Sequence, residues 1–243
     1  MRQQLQASGG GGFVVGLSGG VDSAVVARLA QLAAPGKVVA AILPCHSDPQ
    51  DEEDAALVAR QFSLTTVQVD LATTYDALIA ALQPVMANPD YLRNRPPLDP
   101  IRGRVPLANI KPRLRMTTLY FLANTLNYLV AGTGNQSELS IGYFTKWGDG
   151  GVDLLPLGRL TKQQVQTMAA ELGVPKVIID RTPSAGLWAG QKDEEEIGFT
   201  YAELDRYLAD GPQAVAPALA MKIERLTRAS EHKRELPPMP DFD

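Results

Sequence analysis

The apolar run FVVGL, Phe13 to Leu17, passes through the small residues SGGVDS straight into a segment with apolar residues at helical spacing. Further apolar runs, KVVAAIL at 37–43, TTVQVD at 65–70 and YLVAGT at 128–133, read as strands. Between them Asp22–Ala33, Asp51–Phe62 and Ile110–Leu126 carry the helical pattern. Near-continuous apolar strands alternating with amphipathic helices imply a buried parallel sheet covered on both faces, an α/β doubly wound fold. Ligands bind such sheets beyond the carboxyl ends of the strands, near a switch in strand order. The SGGVDS turn lies at such an end.

At 243 residues, 45% hydrophobic and 21% charged, the chain suits one sizeable core, and a single domain over 1–243 is expected. A net charge of -4 argues against nucleic acid as a partner. Cys45 is the single cysteine, which excludes an internal disulfide and any CxxC motif and fits a reducing compartment. No apolar run approaches the roughly 18 residues of a membrane span. MRQQLQASGGGG lacks the apolar core of a signal peptide. The expectation is a cytoplasmic protein with no membrane partner.

Three segments break the alternation. Gly9 to Gly12 read as a flexible lead-in; residues 84–108, with six prolines and four arginines, as an irregular excursion; and residues 180–198 as a long loop, a candidate lid. Tyr201 to Glu231 reads as one or two surface helices before a Pro-rich tail.

A strand ending at Leu17 and a helix starting near Val21 leave turn amides aimed outward, where the helix dipole favours an anion. Gly19 and Gly20 let a phosphate approach the backbone, Ser18 and Ser23 add hydroxyls, and Asp22 is a hard oxygen ligand suited to Mg²⁺. The same residues also make a well-capped turn with Asp22 as a first-turn acid. Neither a Walker A string nor G-x-G-x-x-G occurs.

SGGVDS resembles the pyrophosphate-binding loop of the ATP pyrophosphatases, the adenine nucleotide alpha hydrolase-like fold. GTGNQSELSIGYFTKWGDGGVDLLPLGRLTK at 132–162, NIKPRLRM at 109–116, TPSAGLW at 182–188 and EHKRE at 231–235 resemble NAD synthetase, in order and at the expected separations. This resemblance spans Phe13 to Glu235. It implies ATP contacts from Gly16, Leu17, Ser18, Gly19, Gly20, Val21, Asp22 and Ser23, with Thr133, Lys162 and Ser184. It implies Asp22 and Glu138 as Mg²⁺ ligands, and Asp22 and Lys162 as the catalytic pair. Deamido-NAD contacts would come from Arg113, Lys146, Asp153, His232 and Lys233, with Lys146 reaching the substrate of a neighbouring subunit in a homodimer.

On their own chemistry these residues allow plainer readings. Glu138 is also an acid complementing a helix dipole, and Lys162, capped by Thr161, also a solvated lysine. Asn109 can cap the next helix, but Lys111, Arg113 and Arg115 crowd its positive end unless an anion binds there. Asp149 is also a turn former, and Trp147 either a stacking or a packing residue.

The resemblance implies ATP-dependent amidation of deamido-NAD by ammonia through an acyl-adenylate, giving NAD, AMP and pyrophosphate. No protein nucleophile is required, and the motifs leave no room for a fused glutaminase. A tRNA-sulfurating enzyme, a GMP-synthetase-like subunit and a nucleotide sensor share the opening loop; the first lacks its catalytic cysteines here, and the second does not share the 142–153 and 231–235 motifs.

Overall fold

The structure, a computed structural model, describes residues 1–88, 90, 93, 100–188 and 190–240, with the backbone alone at 100–102. Four parallel strands, β1 (Phe13–Gly16), β2 (Val38–Ile42), β3 (Thr65–Gln68) and β4 (Leu129–Val130), stand in the order β3-β2-β1-β4. The chain builds outward from β1 to β3 and then returns to lay β4 on the other side of β1. Strand order therefore reverses between β1 and β4, which opens a crevice beyond their carboxyl ends.

The helices are α1 (Arg2–Ser8), α2 (Val21–Ala33), α3 (Pro49–Gln61), α4 (Ala72–Met86), α5 (Pro100–Ala108), α6 (Ile110–Leu126), α7 (Gln136–Ile141), α8 (Lys162–Glu171), α9 (Lys176–Ile179), α10 (Asp193–Ile197), α11 (Tyr201–Asp210) and α12 (Pro217–Ala229). Successive β1 side chains point to opposite faces. Phe13 and Val15 enter the core made with α2, α3 and α8, while Val14 packs with Ala123 of α6 and Val130. The two-sided cover expected of the doubly wound fold is present over β1 and β2, while the edge strand β3 is exposed at Thr65, Thr66 and Gln68. Past Val130 the chain also pairs on its outer side, Asp153 N donating to Val130 O at 3.0 Å and Gly132 N to Leu154 O at 2.9 Å, so β4 itself is shorter than the apolar run.

Three expectations need correction. The four glycines are not a flexible lead-in: Gly11 N donates to Asn127 O at 2.7 Å, and a Cβ on Gly12 would lie 2.1 Å from Lys37 O. The stretch 84–108 is partly helical, with Pro84 in the last turn of α4 and Pro100 opening α5, a position where the missing N–H costs nothing; residues 89, 91–92 and 94–99 of that stretch lie outside the described residues. Finally, α11 and α12 do more than cover the surface. Leu204 and Ile223, both fully buried, join Ile141, Ile197, Phe199 and Tyr201 in a second core, each contributing about 1.5–3 kcal/mol. No helix among the described residues is long and apolar enough to cross a membrane.

Candidate active site

A cavity of about 430 Å³ occupies the crevice at the strand-order switch. The turn after β1, the segment after β4 and residues 181–188 all line it.

The turn after β1 is held from within. Ser23 Oγ donates to Gly20 O at 2.9 Å and accepts from Ser18 N at 3.2 Å, and Ser18 Oγ accepts from Gly20 N at 3.3 Å. Gly20 is the N-cap of α2 and has no side-chain cap, so the first amides of a 13-residue helix remain available to an anion. The two glycines have different reasons. Gly20 lines the cavity, and a Cβ there would meet nothing nearer than Ser18 Oγ at 3.5 Å. Gly19, at φ +86, is not among the lining residues; its missing Cβ would sit 2.5 Å from Asp51 O of α3. The missing side chain of Gly19 is required for close backbone packing against α3. Gly16, Leu17, Ser18, Val21, Asp22 and Ser23 do line the cavity, as do Thr133 and Ser184.

Asp22, Glu138 and Lys162 converge on one point. Lys162 Nζ forms a close ion pair with Asp22 Oδ2 and lies 3.4 Å from Glu138 Oε1. Burial alone would depress the lysine, but the two carboxylates outweigh it and hold the ammonium above the ordinary lysine range. Burial likewise pushes the Glu138 carboxyl up, opposed by Lys162 and reinforced by Asp22. Asn135, wholly buried, orders both acids: Nδ2 donates to Asp22 Oδ1 at 2.9 Å, Oδ1 accepts from Glu138 N at 3.0 Å, and its own N donates to Glu138 Oε2 at 3.2 Å. The N-x-x-E spacing of this capping box of α7 is a signal the sequence reading did not use, and its reach to Asp22 has no local signal.

A second acidic layer lies behind. Asp193 accepts from the Tyr201 hydroxyl at 3.0 Å, Glu196 accepts from Gln191 Nε2 at 2.8 Å, and the two carboxylates share the one proton of the Tyr143 hydroxyl, 3.1 Å from Asp193 and 2.9 Å from Glu196. Burial and the neighbouring carboxylates raise both phenols, which keeps them as donors. No cluster of three or more His, Cys, Asp or Glu suited to a metal occurs among the described residues. The pair Asp22 and Glu138 nevertheless already stabilises a cation, the Lys162 ammonium, between two hard oxygens. That donor set fits Mg²⁺, which takes one or two carboxylates and draws its other ligands from water and phosphate.

The residues expected to meet the second substrate divide into two groups. Lys233 lines the cavity, but its ammonium donates to Gly142 O and Phe144 O, both at 2.7 Å, and so braces that segment. Arg113, Lys146 and His232 form a linked set on the surface, with Arg113 Nη2 donating to Lys146 O at 3.2 Å and Lys146 Nζ to His232 O. None of these three lines the cavity, nor does Asp153, which accepts from Val130 N at 2.7 Å and from Tyr120 at 3.0 Å. Asp153 and burial raise the Tyr120 phenol, burial most, to about 12. Trp147 is exposed, with Lys146 Nζ 5.3 Å from its ring, rather than packed.

The crowded cations of α6 each reach a backbone carbonyl. Lys111 Nζ donates to Leu187 O at 2.8 Å and Arg115 Nε to Leu43 O at 3.0 Å. Asn109 does not cap the helix; its Oδ1 accepts from Thr145 Oγ1 at 2.8 Å. The loop at 180–198 contains α10, and two part-buried contacts fix it over the cavity: Lys111 at Leu187, and Arg181, whose guanidinium pairs with Asp51 and, at 2.7 Å, with Asp54. Thr161 caps α8 as expected, its hydroxyl accepting from Gln164 N at 3.4 Å.

An uncapped helix N-terminus, two carboxylates and a buried lysine at the switch point of a parallel sheet define a nucleotide-handling α/β enzyme site. Comparison with known proteins narrows the class. Residues 1–237 match the family model described as NAD synthase, and the chain belongs to that family. It is 50% identical over 240 residues to the NH3-dependent NAD+ synthetase of Carboxydothermus hydrogenoformans, covering 99% of this chain and 93% of that protein. Among solved structures, an NMN synthetase from Francisella tularensis superposes with a TM-score of 0.87 at 40% identity, covering 99% of this chain and 94% of the other. The NH3-dependent NAD synthetase of Campylobacter jejuni, solved with a nitrate ion, gives 0.77 at 26% identity over 99% and 94%.

Proposed function

We propose that the protein amidates deamido-NAD with ammonia at the expense of ATP, giving NAD, AMP and pyrophosphate, in the cytoplasm and as a homodimer. The observation that carries this reading is the meeting of the α2 N-terminus, Asp22, Glu138 and Lys162 at one crevice in a chain of the NAD synthase family. A carboxylate is a poor electrophile because its leaving group would be oxide, so it must first be activated. One nicotinate carboxylate oxygen attacks the α-phosphorus of ATP, the bond from that phosphorus to the bridging oxygen breaks, and pyrophosphate leaves. Ammonia then attacks the carbonyl carbon, the carbon–oxygen bond to AMP breaks, and nitrogen loses a proton.

The α2 amides and the Ser18 hydroxyl bind phosphate oxygens on a turn that Ser23 holds in shape, and Lys162 turns from its carboxylates to the leaving pyrophosphate, where its charge lowers the barrier. Asp22 and Glu138, then free of the ammonium, would hold Mg²⁺, which when bound neutralises charge on the phosphates. Residues 181–188 exclude water that would hydrolyse the adenylate. Arg113, Lys146 and His232 form a linked set next in sequence to the cavity-lining Pro112, Thr145 and Lys233, where a dinucleotide site completed by a second copy of the chain would draw on them.

A second reading differs only in the acid. The NMN synthetase of Francisella tularensis has the higher TM-score of the two structures, which favours a test of nicotinate mononucleotide as the acceptor. Pyrophosphate release with MgATP and ammonium, measured with deamido-NAD, nicotinate mononucleotide or XMP, decides. The proposal expects the highest kcat/KM with deamido-NAD, and a higher value with the mononucleotide replaces it with the second reading. Release with XMP alone removes both.

A further inference from the structure

Lys162 is held at both of its ends by one turn of α11. At its backbone, Lys162 N donates to Ser137 Oγ at 3.0 Å, the Ser137 hydroxyl donates to Asp205 Oδ1, and Asp205 Oδ2 accepts from Gln163 N at 2.9 Å. At its ammonium, the ring of Tyr201 lies 5.3 Å from Nζ, and the Tyr201 hydroxyl is fixed by Asp193 Oδ2 at 3.0 Å. Tyr201 and Asp205 are four residues apart, on the same face of the helix.

Asp205 is an unfavourable choice on local grounds. It sits inside a helix, where aspartate is a poor former, and it is buried with a hydroxyl and an amide as its partners rather than a cation. It does not line the cavity, so it touches no substrate there. What it does is join α11, α7 and α8 at the residue next to Glu138 and at the start of the helix that carries Lys162. The ammonium must move between a pair of carboxylates and a phosphate, and only a fixed backbone and a fixed ring face leave that motion to the side chain alone.

We propose that Asp205 and Tyr201 are positioning residues for Lys162, with α11 setting where the ammonium meets the leaving pyrophosphate. The proposal rests on the reading of Lys162 given under the proposed function. Mispositioning by about 1 Å costs up to roughly 100-fold in rate. Asp205→Ala is therefore expected to lower kcat by about 10- to 100-fold with KM for ATP nearly unchanged, the pattern of an interaction made in the transition state.

A double-mutant cycle tests it, reading single-turnover pyrophosphate release and, independently of any acid substrate, calorimetric affinity for magnesium pyrophosphate. In both readouts Asp205→Ala and Tyr201→Leu should each cause a clear loss in the wild-type background and little further loss in Lys162→Ala. Asp205→Asn, which keeps an acceptor for Gln163 N, should recover part of it. Equal fold-losses in both backgrounds overturn the proposal, because Asp205 and Tyr201 would then act on the fold rather than through Lys162. If the wild-type protein releases no pyrophosphate with any acid, the functional reading fails, and the calorimetric cycle still decides the positioning role.

Discussion

The Asn135 carboxamide donates to Asp22 at 2.9 Å, tying the turn after β4 to the turn after β1 across 113 residues of sequence. The same side chain caps α7 and fixes Glu138. Asn135→Ala is expected to lose the cap and unpair a buried carboxylate oxygen, destabilising the fold by about 2 kcal/mol in urea denaturation. Asn135→Asp keeps a cap but sets a third carboxylate against Asp22, and should lower the urea midpoint at neutral pH. A wild-type midpoint for Asn135→Asp would contradict the geometry.

Lys162 neutralises two inward acids, and removing it leaves them facing each other. Lys162→Met should lower stability by about 3 kcal/mol, since breaking a buried pair strands the remaining charge. It should lower kcat by about 100- to 1000-fold, as losing a transition-state donor does. If Asp22 and Glu138 hold Mg²⁺, magnesium should raise the melting temperature of Lys162→Met more than that of the wild type. An equal shift in both would remove Mg²⁺ from this pair.

Gly19 and Gly20 separate packing from binding. At Gly19 a Cβ meets Asp51 O at 2.5 Å with φ at +86, so Gly19→Ala should destabilise by about 1–3 kcal/mol. At Gly20 the backbone is extended and the space open, so Gly20→Ala should keep its melting temperature and bind MgATP more weakly, because its methyl enters the phosphate path. Calorimetry on both variants checks the contrast.

Burial pushes the Cys45 thiol up, and Arg115 and Lys111 only partly oppose this. Its pKa is thus higher folded than unfolded. Its stability contribution is complete below the unfolded value near 9.0 and declines as pH rises through the folded one, because the unfolded thiol ionises first. Between those limits the wild type should lose stability more steeply than Cys45→Ala. In the native protein Cys45 should resist a thiol reagent until urea unfolds it, and prompt labelling would contradict its burial.

Much of the sheet was legible because β1 and β2 are apolar on both faces and the helices between strands repeat at helical spacing; Ile110–Leu126 is a helix between those very limits. The convergence of Asp22, Glu138 and Lys162 was legible only through motif resemblance, since no local pattern tells a shared lysine from a solvated one. Gly12 was read as freedom and Gly19 as room for a phosphate, where the structure shows each packed against backbone that a side chain would meet, because what a glycine packs against comes from distant chain. Asp205 and Arg181 were missed, and Lys111 was read only as a cation crowding a helix end, for the same reason. Their partners, Ser137, Asp54 and Leu187, lie 68, 127 and 76 residues away.

An acyl-adenylate forms only if a carboxylate oxygen becomes bonded to the α-phosphorus of ATP. Turnover of deamido-NAD labelled with ¹⁸O in its nicotinate carboxylate, followed by mass spectrometry of the AMP formed, tests it most directly. An acyl-adenylate transfers one labelled oxygen to AMP in each turnover. Unlabelled AMP, or ADP as the nucleotide product, would contradict this chemistry.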